Sequence, residues 1–201
     1  MEEFFYHESN AGKNCEGETI HSVCEKIEKI YFSLTGKPCL VTVKLIRPKD
    51  EKGDTYCEIY ARSETNCRRD DLGKKLFEVS EENTVFHKAL QRRGMNEDCS
   101  HFHSEDLTKE DNYRNERQNW KNFYKSTIVV PIRYHPKQEL RKKVIPDDLG
   151  FLCVDTRSTN RLKKGAHVQI LAALADQMYN FLSLMKGRYI TINPKQGEDN
   201  V

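Results

Sequence analysis

Ser126-Thr-Ile-Val-Val-Pro-Ile-Arg-Tyr134 and Leu149-Gly-Phe-Leu-Cys-Val-Asp-Thr156 decide how this chain folds. Both runs are rich in β-branched and apolar residues, and both are strand-length rather than helix-length. A polar, basic loop joins them, HPKQELRKKVIPDD, so the two read as a hairpin. Pro131 supplies no ladder donor, and needs a bulge or an amide that faces an open edge.

Upstream, Leu40–Arg47 alternates Val41, Val43 and Leu45 with Thr42, Lys44 and Ile46. Thr55–Arg62 alternates Cys57, Ile59 and Ala61 with Tyr56, Glu58 and Tyr60, across a PKDEKGD turn. These form a second hairpin with a longer loop. Leu72–Val79 holds room for a third, short strand. Helical periodicity brackets the strands. Ile20, Val23, Cys24, Ile27, Ile30, Tyr31 and Leu34 make one stripe behind Thr19 as N-cap, closed by Gly36 and Pro38. Ser80 opens a helix over about 81–93. Thr159 caps a long one, 161–186, whose Leu171, Leu174, Ala175, Met178, Leu182 and Met185 stripe is widened by Ile170, Ala173 and Phe181. Residues 95–125 lack a period and read as a crossover that frames a site. Strand pairs separated by helices predict an α+β fold, an antiparallel sheet of about six strands with helices on both faces. A domain over 19–186 follows, with a flexible lead-in, 1–18, and a flexible tail, 187–201.

The chain of 201 residues carries 33 Lys or Arg and 31 Asp or Glu, a net charge of +2, with a mean hydropathy of −0.80. That balance argues against nucleic acid as a partner. No run of about 18 apolar residues offers a membrane span. MEEFFYHESN lacks the basic and apolar regions of a secretory signal. Seven cysteines without a CxxC are expected as reduced thiols, so the expected compartment is the cytoplasm.

The hairpin residues Ser126–Ile132 and Gly150–Thr156, followed by the long helix 161–186, resemble a GAF domain, a small-molecule sensor module related to the PAS fold. The segment Val79–Leu90 resembles that family's helix before its pocket loop. The resemblance covers about 19–186. It implies the first and last helices on one sheet face and a ligand pocket on the other, roofed by 80–125. It also implies dimerisation through the terminal helices, and the breadth of 161–186 suggests the same. Ile27, Ile30, Ile170, Leu174, Phe181 and Leu182 are the expected interface. The Asn-Lys-Phe-Asp-Glu set of cyclic-nucleotide-binding members is missing. Cys99-Ser-His101 resembles the bilin-attaching pair, without the Asp-Ile-Pro type segment beside it. Free methionine sulfoxide reductases share an SxIVVP stretch, but their CGxA-type cysteine context is missing and Cys153 stands where they have an Asp.

The expected ligand contacts are Phe86, His101, His103, Asp106, Trp120, Phe123, Arg133 and Asp155. Trp120 and Phe123 would close an apolar pocket. Arg133 and Asp155 lie on partner strands and are candidates to pair. Glu105, Asp106, Glu110 and Asp111 form an acidic group whose acid–base use needs a proton-transfer partner. Cys99, His101 and His103 share one strand face, and with Glu105 give sulfur, nitrogen and oxygen donors of the kind zinc accepts; no second ligand pair accompanies them. Arg68-Arg69, Arg92-Arg93, Arg141–Lys143 and Lys163-Lys164 are solvated surface or a phosphate-binding face. The sequence names no cofactor and no catalytic residue. The leading expectation is a non-catalytic sensory module that binds a small ligand, such as a nucleotide. That sensor is expected to signal through its terminal helices, with the small ligand or an effector protein as partner; a small redox or metal-dependent enzyme on Cys99, His101 and His103, and a dimerisation scaffold with a vestigial pocket, are the alternatives.

Overall fold

Alternation along the central strands sorts their side chains onto two faces, and each face has its own cover. The computed structural model describes residues 10–47, 54–63, 76–91, 101–115, 119–133 and 148–192. In chain order the elements are α1 (Asn10–Thr35), β1 (Cys39–Ile46), β2 (Tyr56–Arg62), β3 (Leu76–Glu78), α2 (Thr84–Leu90), β4 (Phe102–Ser104), β5 (Ser126–Arg133), β6 (Asp148–Thr156) and α3 (Ala166–Ile192). The strands form one six-stranded sheet in the order β3-β2-β1-β6-β5-β4, with every pairing antiparallel.

One face is apolar throughout. Val41, Val43, Leu45, Ile128, Val130, Ile132, Leu152 and Val154 pack there beneath Ile20, Cys24, Ile27 and Tyr31 of α1 and Val168, Leu171, Ala175 and Met178 of α3. Burying such side chains stabilises the fold by about 1.5–3 kcal/mol each, before conformational entropy is set against it. Tyr31 joins the two helices: its hydroxyl donates to the His167 carbonyl at 2.5 Å, and its ring meets the His167 ring edge-on. The stripe of α3 packs into the core that the sheet and α1 share. The opposite face gathers Cys57, Phe151, Cys153 and Val129 beneath Val85, Phe86 and Ala89 of α2, with Phe102 and Leu107.

Two positions in the decisive hairpin have plain physical causes. β4 pairs with β5 only at Thr127, Ile128 and Val129. Pro131 lies beyond that reach, so the donor it lacks breaks no bond on that side. Gly150 is required by a close approach of β1: a Cβ there would lie 2.0 Å from the Lys44 carbonyl oxygen.

The helix boundaries differ from the sequence reading. α1 starts at Asn10, so residues 10–18 are helical and Thr19 lies within the helix rather than capping it. α3 starts at Ala166, because Asn160 (φ 57) and Gly165 (φ 86) hold left-handed conformations that interrupt a helix from Arg161. It continues through Ile192, so residues 187–192, expected within a flexible tail, are helical. α2 is shorter than 81–93, with Asn83 at its N-cap. β4 gives the crossover a strand that its weak period hid. No helix among the described residues is long and apolar enough to cross a membrane.

Candidate functional site

The face beneath α2 is not filled solid. A cavity of about 70 Å³ lies between the strands and the roof. Its floor comes from the residues that alternate with the helix-side core: Thr42 and Lys44 of β1, Ile59 and Arg62 of β2, Thr127 and Val129 of β5, and Cys153 and Asp155 of β6. Phe77, Asn83, Val85, Phe86, Tyr113, Asn115 and Tyr124 wall and roof it.

Lys44 and Arg62 are both buried. The Lys44 ammonium stands 3.2 Å from the centre of the Phe77 ring and 4.6 Å from that of Phe86. Those ring faces attract a desolvated cation and hold it in place. Phe86 is fixed in turn against Phe151, with ring centres 4.9 Å apart. Asp155 supplies the carboxylate of the lining, and the Thr127 hydroxyl donates to it at 2.6 Å.

The roof is a linked aromatic set. The Asn115 side-chain amide donates to the Tyr124 oxygen at 2.7 Å and to the Tyr113 oxygen at 3.1 Å. Both amide hydrogens are then spent on phenol oxygens. Trp120 contacts the same two rings at centre distances of 4.7 and 6.0 Å. Burial pushes the Tyr113 hydroxyl well above its usual range, so the phenol stays protonated and remains a donor. Thr84 ties the roof to α2: its hydroxyl accepts from the Arg114 amide, and its amide donates to the Arg114 carbonyl.

Of the residues expected to touch a ligand, Phe86 and Asp155 line the cavity. Trp120 stands one layer back, bracing Tyr113 and Tyr124. Phe123 is half-buried outside the lining. Arg133 pairs with Asp148 at 2.7 Å rather than with Asp155. The register puts Asp155 opposite Thr127 and Asp148 opposite Arg133, at the two ends of the hairpin, so the expected pair is about 20 Å apart at 3.3 Å per residue. Asp106 caps the short turn Leu107–Lys109 by accepting from the Thr108 amide. His103 Nε2 meets the Leu162 carbonyl at 2.7 Å, a structural tether to the loop before α3. His101 is half-buried and outside the cavity lining.

Cys99 lies outside the described residues, as do Arg68-Arg69, Arg92-Arg93 and Arg141–Lys143. Among the described residues no cluster of His, Cys, Asp or Glu has the geometry to hold a metal ion. Lys163 pairs with Glu105 at 2.6 Å. Of the expected interface residues, Ile27 is corrected: it faces the sheet and is buried in the core, where no partner reaches it. Ile170, Leu174, Phe181 and Leu182 are half-buried against the same core. Ile30 is exposed, as are Phe32, Leu34 and Leu184.

The sequence reading missed Lys44, Arg62, Asn83, Tyr113, Asn115, Tyr124 and Thr127. The signal was present in β1, where Thr42 and Lys44 fill the polar parity of a strand that proves to be central in the sheet.

Solved structures share this architecture. The GAF domain region of a Geobacter sulfurreducens PCA protein aligns over 87% of this chain and 97% of its own, with 17% identity and a TM-score of 0.54. The chain has a GAF fold. The PixJ GAF domain of Thermosynechococcus elongatus, solved in its blue-light absorbing form, aligns over 96% of this chain and 100% of its own, with 14% identity and a TM-score of 0.53. A type II free methionine-R-sulfoxide reductase from Thermoplasma acidophilum aligns over 85% of this chain and 94% of its own, with 14% identity and a TM-score of 0.52. No protein-family model matches the sequence, and no curated protein matches it. The same fold therefore carries a light absorber and an enzyme, and what this chain does must be argued from its cavity.

Proposed function

We propose that this GAF domain is a non-catalytic sensory module that binds a small ligand in the cavity and signals through α1 and α3. The observation that carries this reading is the division of β1. Thr42 and Lys44 line the cavity, while their neighbours Val41 and Val43 pack in the core shared with α1 and α3. A ligand that moves the floor of the cavity moves the seat of both helices, because a close-packed core transmits small displacements. The light-absorbing GAF domain of the same fold supports this reading.

The thiol of the lining also favours binding over catalysis. Cys153 is buried, and burial raises its pKa well above the usual thiol value, which suppresses the nucleophilic thiolate. Exposed Ile30 and Leu34, one helical turn apart on α1, with Leu184 on α3, support a homodimer through the terminal helices. Buried Cys24, Cys39, Cys57 and Cys153 form no disulfide, which suits the reducing cytoplasm.

The test is hydrogen exchange on the whole chain, with and without a ligand found by thermal shift across small metabolites. Protection is expected at the cavity strands and also along α1 and α3. Protection confined to the cavity would sink the signalling route. Sedimentation of the Ile30→Glu, Leu34→Glu variant tests the dimer, which is expected to give way to monomer.

A further inference from the structure

We propose that His103 and His167 form a proton-sensitive clamp on one peptide group, Leu162–Lys163, and that protonation of His167 opens it and frees the first turn of α3. The clamp stands on its own geometry and holds whether or not the cavity takes a ligand.

The two ends of that peptide group meet two imidazoles. Its oxygen, the Leu162 carbonyl, accepts from His103 Nε2 at 2.7 Å, because a carbonyl has no proton to give. Its nitrogen, the Lys163 amide, donates to His167 Nδ1 at 3.0 Å. His103 therefore carries its proton on Nε2, and His167 keeps Nδ1 bare. The two respond differently to acid. Protonated His103 still presents Nε2–H and keeps its bond. Protonated His167 carries a proton on Nδ1 that faces the amide proton of Lys163, and that bond is lost. One residue is the anchor and the other the switch.

The surroundings oppose a charge on His167. It is the second residue of α3, where the positive end of the helix dipole disfavours a cation. β4 and the residue after it bring His103 and Glu105, the loop before α3 brings Lys163, and α1 brings the Tyr31 hydroxyl. Glu105 would favour an imidazolium, but Lys163 engages it at 2.6 Å. Burial first, then the charge of His103, hold His167 below the ordinary imidazole value of about 6.5; Glu105 pulls the other way and Lys163 opposes it. The folded chain takes this proton less readily than the unfolded one. The clamp's contribution to stability is therefore complete above about pH 6.5 and is lost as pH falls through the folded value.

The location gives the release a consequence. Leu162 is buried in the core and Gly165 turns the chain with φ 86, so the clamped peptide between them sets how α3 begins. Tyr31 ties α1 to the same residue, through its hydrogen bond to the His167 carbonyl and its edge-on contact with the ring. Both terminal helices thus meet at the switch.

Nuclear magnetic resonance of the isotope-labelled whole chain tests this between pH 7.5 and pH 5.0. Long-range proton–nitrogen spectra read the tautomer and charge of His167. Amide exchange reads Lys163 and Gln169, whose amide donates to the Gly165 carbonyl at 3.0 Å at the start of α3. After correction for intrinsic exchange, protection at both amides is expected to fall at least tenfold as His167 takes its proton, with a midpoint below about pH 6.5. His167→Asn puts a non-titrating acceptor where Nδ1 stood, and its protection is expected to stay level across this range. His103→Gln keeps an N–H for the Leu162 carbonyl and removes the like charge, so the midpoint is expected to move to higher pH. A proton on His167 Nδ1 at pH 7.5, an imidazole still neutral at pH 5.0, or unchanged protection in the parent chain would each overturn the clamp. So would an equal loss of protection in a folded His167→Asn chain, or a midpoint that fails to rise in His103→Gln.

Discussion

Gly150→Ala is the sharpest perturbation of the sheet that floors the cavity. The added Cβ would sit 2.0 Å from the Lys44 carbonyl oxygen and 3.1 Å from the Leu45 Cα, where real Cβ atoms keep at least 3.0 Å from any such neighbour. The strand separation must therefore open by about 1 Å at this point, the gap between those two distances. The obstacle is backbone, so no side chain can rotate away. β1 and β6 are locked in register from Cys39–Thr156 to Leu45–Gly150, in the middle of the sheet. Overpacking of this kind costs about 3 kcal/mol, the upper end of its usual range. For a chain of this size that is a fall of roughly 6–12 °C in melting temperature, at 2–4 °C per kcal/mol. Gly36→Ala is the control. Its φ is +65° and nothing lies within 4 Å of an added Cβ, so it meets only the left-handed backbone penalty of about 1 kcal/mol. Thermal unfolding followed by circular dichroism reads both. A Gly150→Ala chain that melts within about 2 °C of the parent, or above the Gly36→Ala chain, would refute the close approach of β1 to β6.

Thiol chemistry follows from burial: Cys24 is pushed up to about 12 and Cys153 well above the ordinary value, both mainly by desolvation. Peptide mapping after brief alkylation near neutral pH should find both unmodified in the native chain and modified after unfolding in urea; rapid native labelling of Cys153 would contradict its burial. Tyr31 and Tyr113 are both raised by desolvation above the usual phenol value. The folded state then keeps protons that the unfolded state releases, so their contribution is complete below about pH 10 and is lost as pH rises toward their folded values. Urea unfolding at several pH values should show stability falling above about pH 10, less steeply in the Tyr113→Phe variant; an unchanged slope in that variant would count against a buried, protonated Tyr113.

The framework of the fold was legible because strand and helix periods differ. Val41, Val43 and Leu45 announce a strand, Ile20, Cys24, Ile27 and Tyr31 announce a helix, and both patterns report burial against the same core. Boundaries were less legible. Asn160 and Gly165 delay α3 through backbone conformation, and the sequence pattern registers only side chains. The cavity was hidden for a different reason. A polar residue alternating with apolar ones ordinarily faces water, and by that rule Thr42, Lys44 and Thr127 point to solvent. In this chain α2 and the aromatic roof cover that side of the sheet, so the polar parity of β1 and β5 becomes the lining of a roofed cavity. The roof itself depends on Asn115, Tyr113 and Tyr124 meeting through long-range contacts that local spacing does not encode. Arg133 and Asp155 show the converse error. Both lie on paired strands, yet antiparallel register sends them to opposite ends of the hairpin. A polar residue on a central strand of a two-sided sheet is therefore a better pointer to this cavity than a cluster of polar residues in the crossover. Lys44 meets that criterion, and Asp106, committed to capping a turn, does not.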